Sequence, residues 1–407
     1  LLSQETENTV RALAAKNDGP FYLYDLRSIR ARAASLKDLL GENVSLYYSL
    51  KANSRAEILK AIKSENLKAD VASAGEMREA LLAGFAAADL SFTGPGKQKW
   101  EIYEAVKMGI GCLVVESIGE LLCVEEAANS VGMDARVSFR LTPSDRVNHV
   151  GRLQQNSSTQ FGFIRSEWND LLSALSKLKR IRVVGTHSHV QSQILASEWA
   201  LKNIEFAIRE SEDFRSSYSH FAKKEVEFEQ ICVGGGFGIP YSETATPFQL
   251  NEFVLNFEKI KIGVLKNHPK LRLALEFGRY LVGESGVFVA KILYIKKDLG
   301  SPNGLFAIAS GGFAQCQIAC GAGQIVRTNL PLTLLAAGGG RRAKGATTVS
   351  VAGPTCYSQD VLARSLRVDG IDSGDLICIQ NVGAYGKQFS PNEFLRQPSA
   401  LEFFEGS

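Results

Sequence analysis

The sequence predicts an α/β protein in which a (β/α)8 barrel of the TIM type precedes a mostly β domain. Three observations carry this expectation. Apolar runs of strand length alternate with amphipathic helical stretches through roughly 250 residues, the rhythm of a parallel sheet closed on itself. Each run stops on glycine or polar residues, as strands do at the end of a barrel that carries chemistry. From about Gly283, strand-like runs follow one another without long helices between them. Residues 26–280 are therefore assigned to the barrel, and a β domain is expected from residue 281.

In chain order, Phe21 to Tyr24 reads as a short strand entered from the turn Asp18-Gly19-Pro20, and Leu26 to Leu40 as a helix with one apolar face. Val44 to Leu50 is a strand rich in β-branched, aromatic and leucyl residues, without the alternation of a half-exposed strand, so both of its faces are buried. Helix Arg55–Ser64, strand Asp70–Ser73 and helix Gly75–Ala83 follow. The alternation continues through strand Leu90–Thr93, a helix around Trp100–Met108, strand Cys112–Val115, helix Ile118–Val131 and strand Ala135–Leu141. Gly151 to Phe163 reads as an irregular loop, before a helix near Trp168–Leu178. Strand Ile181–Ser188, helix Ser197–Glu212, strand Phe228–Val233, helix Leu250–Leu265 and strand Leu271–Leu275 complete the barrel. In the β domain, Val287–Ile295, Gly304–Ser310, Thr348–Ala352 and Leu376–Val382 read as strands, with Gly338–Lys344 as a basic, glycine-rich loop.

Composition excludes several classes. Hydrophobic residues make up 45% of the chain, charged residues 22%, and there are only 11 prolines, the balance of an ordered globule. Its 46 basic and 43 acidic residues are mixed along the chain, with no basic block beyond the short Lys177–Arg182 run, so nothing calls for nucleic acid or a charged membrane. No apolar run approaches the roughly 20 residues of a membrane span, and the start L-L-S-Q-E-T-E-N lacks the pattern of a signal peptide, so the cytoplasm is expected. Seven cysteines without framework spacing are read as reduced thiols. No H-x-x-x-H or C-x-x-C pair argues for a metal, and none is expected.

The candidate site residues fall at strand ends. Lys51 stops the buried Val44 run; held in an apolar pocket, a lysine is a nucleophile toward aldehydes, whereas one whose stem snorkels to solvent is inert. Gly234-Gly235-Gly236 follows a strand and lets backbone amides close on an anion, although turns also use such runs. Glu276-Phe-Gly278-Arg279 ends the next strand; it is either a surface ion pair or a carboxylate placed to hold a protonated pyridine nitrogen. His187 and His189 share one strand end, with His189 expected against a ligand and His187 behind it. Cys356-Tyr357 and Tyr385 follow strands of the β domain.

Together the segments Y-Y-S-L-K-A-N, A-D-V-A-S-A-G-E, G-T-H-S-H-V-Q-S-Q, V-G-G-G-F-G, E-F-G-R-Y, A-G-P-T-C-Y-S-Q-D and G-A-Y-G, in this order over nearly the whole chain, resemble the pyridoxal-phosphate decarboxylases of the alanine-racemase-like fold. That group includes the ornithine, arginine and diaminopimelate decarboxylases. F-T-G-P-G-K, V-E-S-I-G-E-L, T-Q-F-G and G-A-Y-G-K-Q-F-S-P-N-E-F-L resemble its biosynthetic branch, whose members act on a carrier-protein-bound glutamyl group or a staphyloferrin-type siderophore intermediate.

The resemblance implies fold type III, with residues 1–25 joining 281–407 in the β domain, and a homodimer that shares active sites. It also implies pyridoxal 5'-phosphate as cofactor, linked to Lys51 as a Schiff base, with Asp70 beside that lysine and His189 stacked on the ring. Ser192, Gly235, Gly236, Gly278, Arg279 and Tyr385 would hold the phosphate, and Glu276 would pair with the ring nitrogen. Cys356 would reach a neighbouring subunit's site and protonate the intermediate.

Three departures bear on the substrate. Gln191 replaces a glycine near the phosphate loop, Tyr357 stands where relatives use an acid to grip a distal ammonium, and Gly311-Gly312-Phe313-Ala314-Gln315 stands where diamine-decarboxylating relatives place acidic or amide groups. Arg327 is a candidate to meet a carboxylate or a carrier phosphate. The expected activity is decarboxylation of an amino acid or its conjugate, with a free amino acid such as diaminopimelate, lysine or ornithine as the alternative. An amino-acid racemase is a further reading, against which Glu276 argues, and so is an inactive regulatory homologue, against which Lys51, Glu276 and Cys356 argue.

Overall fold

The first strand, β1 (Phe21–Asp25), lies outside the barrel; the next eight close it. These are β2 (Val44–Ser49), β3 (Lys68–Val71), β4 (Leu90–Phe92), β5 (Cys112–Val115), β6 (Ala135–Arg140), β7 (Ile181–His187), β8 (Gln230–Cys232) and β9 (Arg272–Phe277), each parallel to the next, with β9 pairing back to β2. The structure, a computed structural model, describes residues 2–142, 160–298, 304–321, 328–338 and 347–406. The (β/α)8 barrel expected from the sequence is the architecture observed. All six residues of β2 are buried, which is why it shows no polar alternation.

Helix α1 (Gln4–Ala14) precedes β1, and helices α2 (Leu26–Leu40), α3 (Ala56–Ser64), α4 (Ala74–Leu82), α5 (Lys99–Lys107), α6 (Ile118–Val131), α7 (Trp168–Leu175), α8 (Ser197–Ala222) and α9 (Leu250–Asn267) alternate with the strands. Two of the sequence motifs are helix starts. In Ser73-Ala-Gly-Glu76 and Ser117-Ile-Gly-Glu120 the serine hydroxyl accepts the amide of the glutamate three residues on, at 3.1 and 3.2 Å. Each glutamate reaches back to an upstream amide, that of Ala72 at 2.7 Å and of Glu116 at 2.9 Å. Both starts therefore satisfy amide donors that a helix otherwise leaves open, and they do so where strands β3 and β5 hand over to helices.

By contact density the chain forms two compact units. One comprises Arg30–Gly238 and Pro247–Leu281; the other comprises Leu1–Ile29, Ile239–Thr246 and Val282–Ser407. The second unit holds a sheet in the order β12-β15-β10-β11-β13-β14, built from β10 (Gly286–Asp298), β11 (Gly304–Ala309), β12 (Leu332–Leu335), β13 (Thr347–Ala352), β14 (Val361–Val368) and β15 (Leu376–Ile379). Strand β1 pairs antiparallel with β10 and parallel with β16 (Leu401–Glu405). A register shift between Ile292 and Tyr294 lets β10 pair with β1 and β15 over its first half and with β11 over its second.

Differences from the sequence expectations are local. Strands β12, β14 and β16 and helix α1 add to the elements predicted, because short half-buried strands give weak patterns. Helix α8 runs ten residues past the expected Glu212, and β8 keeps only three of six expected residues. Most of the Gly338–Lys344 loop, and most of the expected loop from Gly151, lie outside the described residues.

Candidate active site

The carboxyl ends of β7, β8 and β9 converge because barrel neighbours run in register: His187 pairs with Cys232, and Cys232 with Ala274. Two residues on, Glu276 comes within 2.9 Å of the His187 Nε2 through its Oε1, and the Cys232 thiol donates to the same oxygen at 3.4 Å. All three are buried. Burial raises the pKa of Glu276, but the interactions with His187 and Lys51 outweigh it and hold the carboxyl well below its usual range. The three donor atoms lie within 4.8 Å of one another, so the spacing also suits a cation, a convergence from three strands that motif spacing does not reveal.

His189 follows β7. Its Nδ1 accepts the Gly235 amide at 3.4 Å, so the ring proton lies on Nε2, which faces the Ser192 hydroxyl at 3.2 Å. Burial and the Lys51 charge push its pKa down to about 3, which keeps the imidazole neutral. Gly236 has φ +93°, and a Cβ there would overlap the carbonyl oxygen of Gln191; no other residue fits this turn. The buried Oε1 of Gln191 has no hydrogen-bond partner among the described residues. Gly278 packs on the turn that carries Lys51, where its own Cβ would lie 3.1 Å from that of Ala52, and Arg279 follows it.

Lys51 lies in the 3-10 turn Leu50–Ala52 at the end of β2, with Nζ 3.4 Å from Asp70 Oδ2. Its side chain is 46% exposed, not sealed in an apolar pocket, while Asp70 is 2% exposed. The amine is thus reachable from solvent and is steadied by a buried carboxylate. Burial and the nearby Glu276 charge raise the Asp70 pKa, whereas Lys51 and the Thr93 hydroxyl, 2.6 Å from Oδ1, oppose the rise.

Lys97, in the turn after β4, has a side chain only 1% exposed. Its Nζ lies 2.7 Å from each of Glu120 Oε1, the Gly94 carbonyl and the Val114 carbonyl. Beside it, Arg140 pairs with Glu116, which also accepts the amides of Gly94 and Gly162. Thr93, Lys97, Glu116, Glu120 and Arg140 are not named as site residues by the sequence reading; Thr93, Glu116 and Arg140 stand at or next to a strand end, Lys97 in the turn after β4 and Glu120 in the first turn of α6.

In the β unit, Cys356 is exposed and Tyr357 is 41% exposed, its ring 4.8 Å from Phe313 and 6.3 Å from Phe394. The carboxylate of Asp360, in the same turn, is buried and already accepts from the Phe313 amide, the Thr355 amide and the Thr355 hydroxyl at 2.6, 3.0 and 2.6 Å. Tyr385 adopts a left-handed φ of +57°, uncommon for a residue with a side chain and a mark of functional turns. Arg327 lies outside the described residues.

A nucleophilic amine at a barrel rim, a buried anion across from it, a neutral flat imidazole and a glycine-built anion loop are the donors a phosphorylated pyridine aldehyde requires, so the residues present fit such a group. The comparisons agree. The family model described as pyridoxal-dependent decarboxylase, pyridoxal binding domain, matches residues 26–283. The chain belongs to this family. It is a pyridoxal-phosphate-dependent decarboxylase, a carboxy-lyase of amino-acid substrates.

The decarboxylase is 30% identical to the L-glutamyl-BtrI acyl-carrier protein decarboxylase of Niallia circulans over 97% of this chain and 91% of that one. It is 30% identical to a diaminopimelate decarboxylase of Bacteroides thetaiotaomicron, covering 90% and 91% of the two chains. It is 27% identical to the 2-((L-alanin-3-ylcarbamoyl)methyl)-2-hydroxybutanedioate decarboxylase of Staphylococcus aureus, covering 93% and 92%. Among solved structures, the diaminopimelate decarboxylase of Helicobacter pylori complexed with L-lysine superposes with a TM-score of 0.81 at 27% identity, covering 98% and 94%. No helix among the described residues is long and apolar enough to cross a membrane.

Proposed function

We propose that this decarboxylase removes the α-carboxylate of an amino acid carried within a larger conjugate, bound to a carrier protein or built into a siderophore precursor, and that it works as a homodimer. The observation that carries the reading is the turn around Tyr357. It offers no free carboxylate for a distal ammonium, because Asp360 spends its oxygens on the backbone and Thr355. Tyr357 presents an aromatic surface with Phe313 and Phe394 instead. Two of the relatives carry names of conjugate decarboxylases, which supports this reading. We place the enzyme in the cytoplasm, where its seven free thiols stay reduced.

Pyridoxal phosphate, when bound, supplies an aldehyde that condenses with amines and a cationic ring that takes up the electron pair left behind by carbon dioxide. Lys51 provides the primary amine, kept near the rim by Asp70. His189, neutral, gives a flat face that adds no competing charge. Glu276, whose carboxyl is held well below its usual range, would pair with a protonated ring nitrogen and so keep the ring an electron acceptor. The amides of Gly235, Gly236, Gly278 and Arg279, with the hydroxyls of Ser192 and Tyr385, would hold the phosphate. Cys356, an exposed free thiol, would reach a neighbouring subunit's site and supply a proton to the α-carbon. Arg327 would be the candidate to meet an anionic group of the conjugate.

Borohydride reduction of the holoenzyme followed by peptide mapping should fix the cofactor at Lys51. Carbon dioxide release should be fastest from glutamyl-carrier or citryl conjugates and slow from free lysine, ornithine and diaminopimelate. Efficient turnover of free diaminopimelate would replace this substrate reading with the activity that several relatives are named for.

A further inference from the structure

The two oxygens of Glu276 are not equivalent. Oε1 receives both the His187 Nε2 and the Cys232 thiol, whereas Oε2 takes no hydrogen bond among the described residues. A carboxylate that is saturated on one oxygen and open on the other has a fixed plane and a single direction in which to accept. His187 is itself constrained: its Nδ1 is buried and has no hydrogen-bond partner among the described residues. The His187 Nε2 donates to Oε1, so the ring fixes which of the two carboxylate oxygens is occupied.

We propose that His187, assisted by Cys232, is the positioning residue of Glu276: by occupying Oε1 it reserves Oε2 for the cofactor's ring nitrogen. The inference rests on the assignment of Glu276 to that nitrogen in the proposed function. Without the His187 donor, the carboxylate can rotate to share its oxygens with Cys232 or with Lys51 across the site, and its hold on the ring proton weakens. The ring then accepts electrons less well, although nothing that touches the substrate has changed.

The test uses the full-length protein. His187→Leu fills much of the ring's volume without a donor, and His187→Gln restores an N–H near the place of Nε2. Fluorescence titration of the apoprotein should show cofactor binding weakened roughly 10- to 100-fold in H187L, the range for a hydrogen bond to a charged group. The visible band of the bound cofactor should shift or weaken as well, and H187Q should recover most of both. Thr186→Val is the structural control: Thr186 bonds Ser211 of α8, so its loss should lower the melting temperature and leave the spectrum unchanged.

If H187L does not fold, Cys232→Ala against Cys232→Ser reads the same oxygen, with the serine variant keeping the wild-type spectrum and the alanine variant losing part of it. Wild-type affinity and spectrum in a folded H187L, or in Cys232→Ala where H187L does not fold, overturn the proposal. So does H187Q no better than H187L. Either result leaves borohydride fixation at Lys51 intact. Failure of that fixation in the wild type would instead remove the functional reading itself.

Discussion

Replacing Lys97 by methionine tests whether the charges packed behind the barrel rim are matched as closely as the geometry indicates. The ammonium is 1% exposed and lies 2.7 Å from Glu120 Oε1, with two backbone carbonyls at the same distance. Methionine keeps the stem and leaves a buried carboxylate and two carbonyls without their donor. Breaking one partner of a buried pair costs about 3–5 kcal/mol, which for a chain of this size is a fall in melting temperature on the order of 10 °C.

The loss should depend on pH. Burial already raises the Glu120 pKa, and Lys97 is the largest opposing influence. In K97M the folded-state pKa rises further above the unfolded value. The protonated form is then favoured by folding, and its stabilisation is present at low pH and disappears as pH climbs through the raised value. The deficit relative to wild type should therefore be smaller near pH 5 than near pH 8. Differential scanning calorimetry at both pH values reads this directly. A K97M protein that melts within about 2 °C of wild type at pH 8, or whose deficit shrinks as pH rises, would refute the argument.

Other outcomes follow from the same geometry. Gly236→Ala, placed at φ +93° against the Gln191 carbonyl, should abolish high-affinity cofactor binding, as read by loss of the visible band after gel filtration. Thr93→Val removes the hydroxyl that opposes the raised pKa of Asp70, so Asp70 should hold less charge beside Lys51, and kcat/KM should fall by about 10-fold with a folded, cofactor-loaded protein. Tyr357→Glu returns a carboxylate to the exposed turn, and turnover of free ornithine or lysine should rise by roughly 10-fold or more, measured as carbon dioxide release. Asp360→Asn leaves at least one of the Phe313 and Thr355 donors without an acceptor and should lower stability by about 1–3 kcal/mol, read as a fall in melting temperature, with little effect on cofactor affinity.

Much of the architecture was legible because local patterns and tertiary fate coincide in a parallel barrel. A strand covered on both faces, such as Val44–Ser49, has to be continuously apolar, so the abrupt appearance of Lys51 marks its end. The serines and glutamates of Ser73–Glu76 and Ser117–Glu120 announce helix starts through purely local hydrogen bonds. The glycines after β8 declare a turn that no side chain can enter. Strands β12, β14 and β16 were hidden because a half-exposed β domain draws its order from partners distant in sequence.

What sequence by itself determined, then, was the barrel, the amine at its rim, the glycine turn after β8 and the family's chemistry, since each depends on residues adjacent along the chain. Tertiary structure alone decided that Lys97 is enclosed by acceptors and that Lys51 is half exposed. It also decided that His187, Cys232 and Glu276 meet on a single oxygen. The physical reason is barrel closure: it lays the ends of neighbouring strands side by side in register, so groups some 40 residues apart become first neighbours in a medium where an unmatched charge is costly.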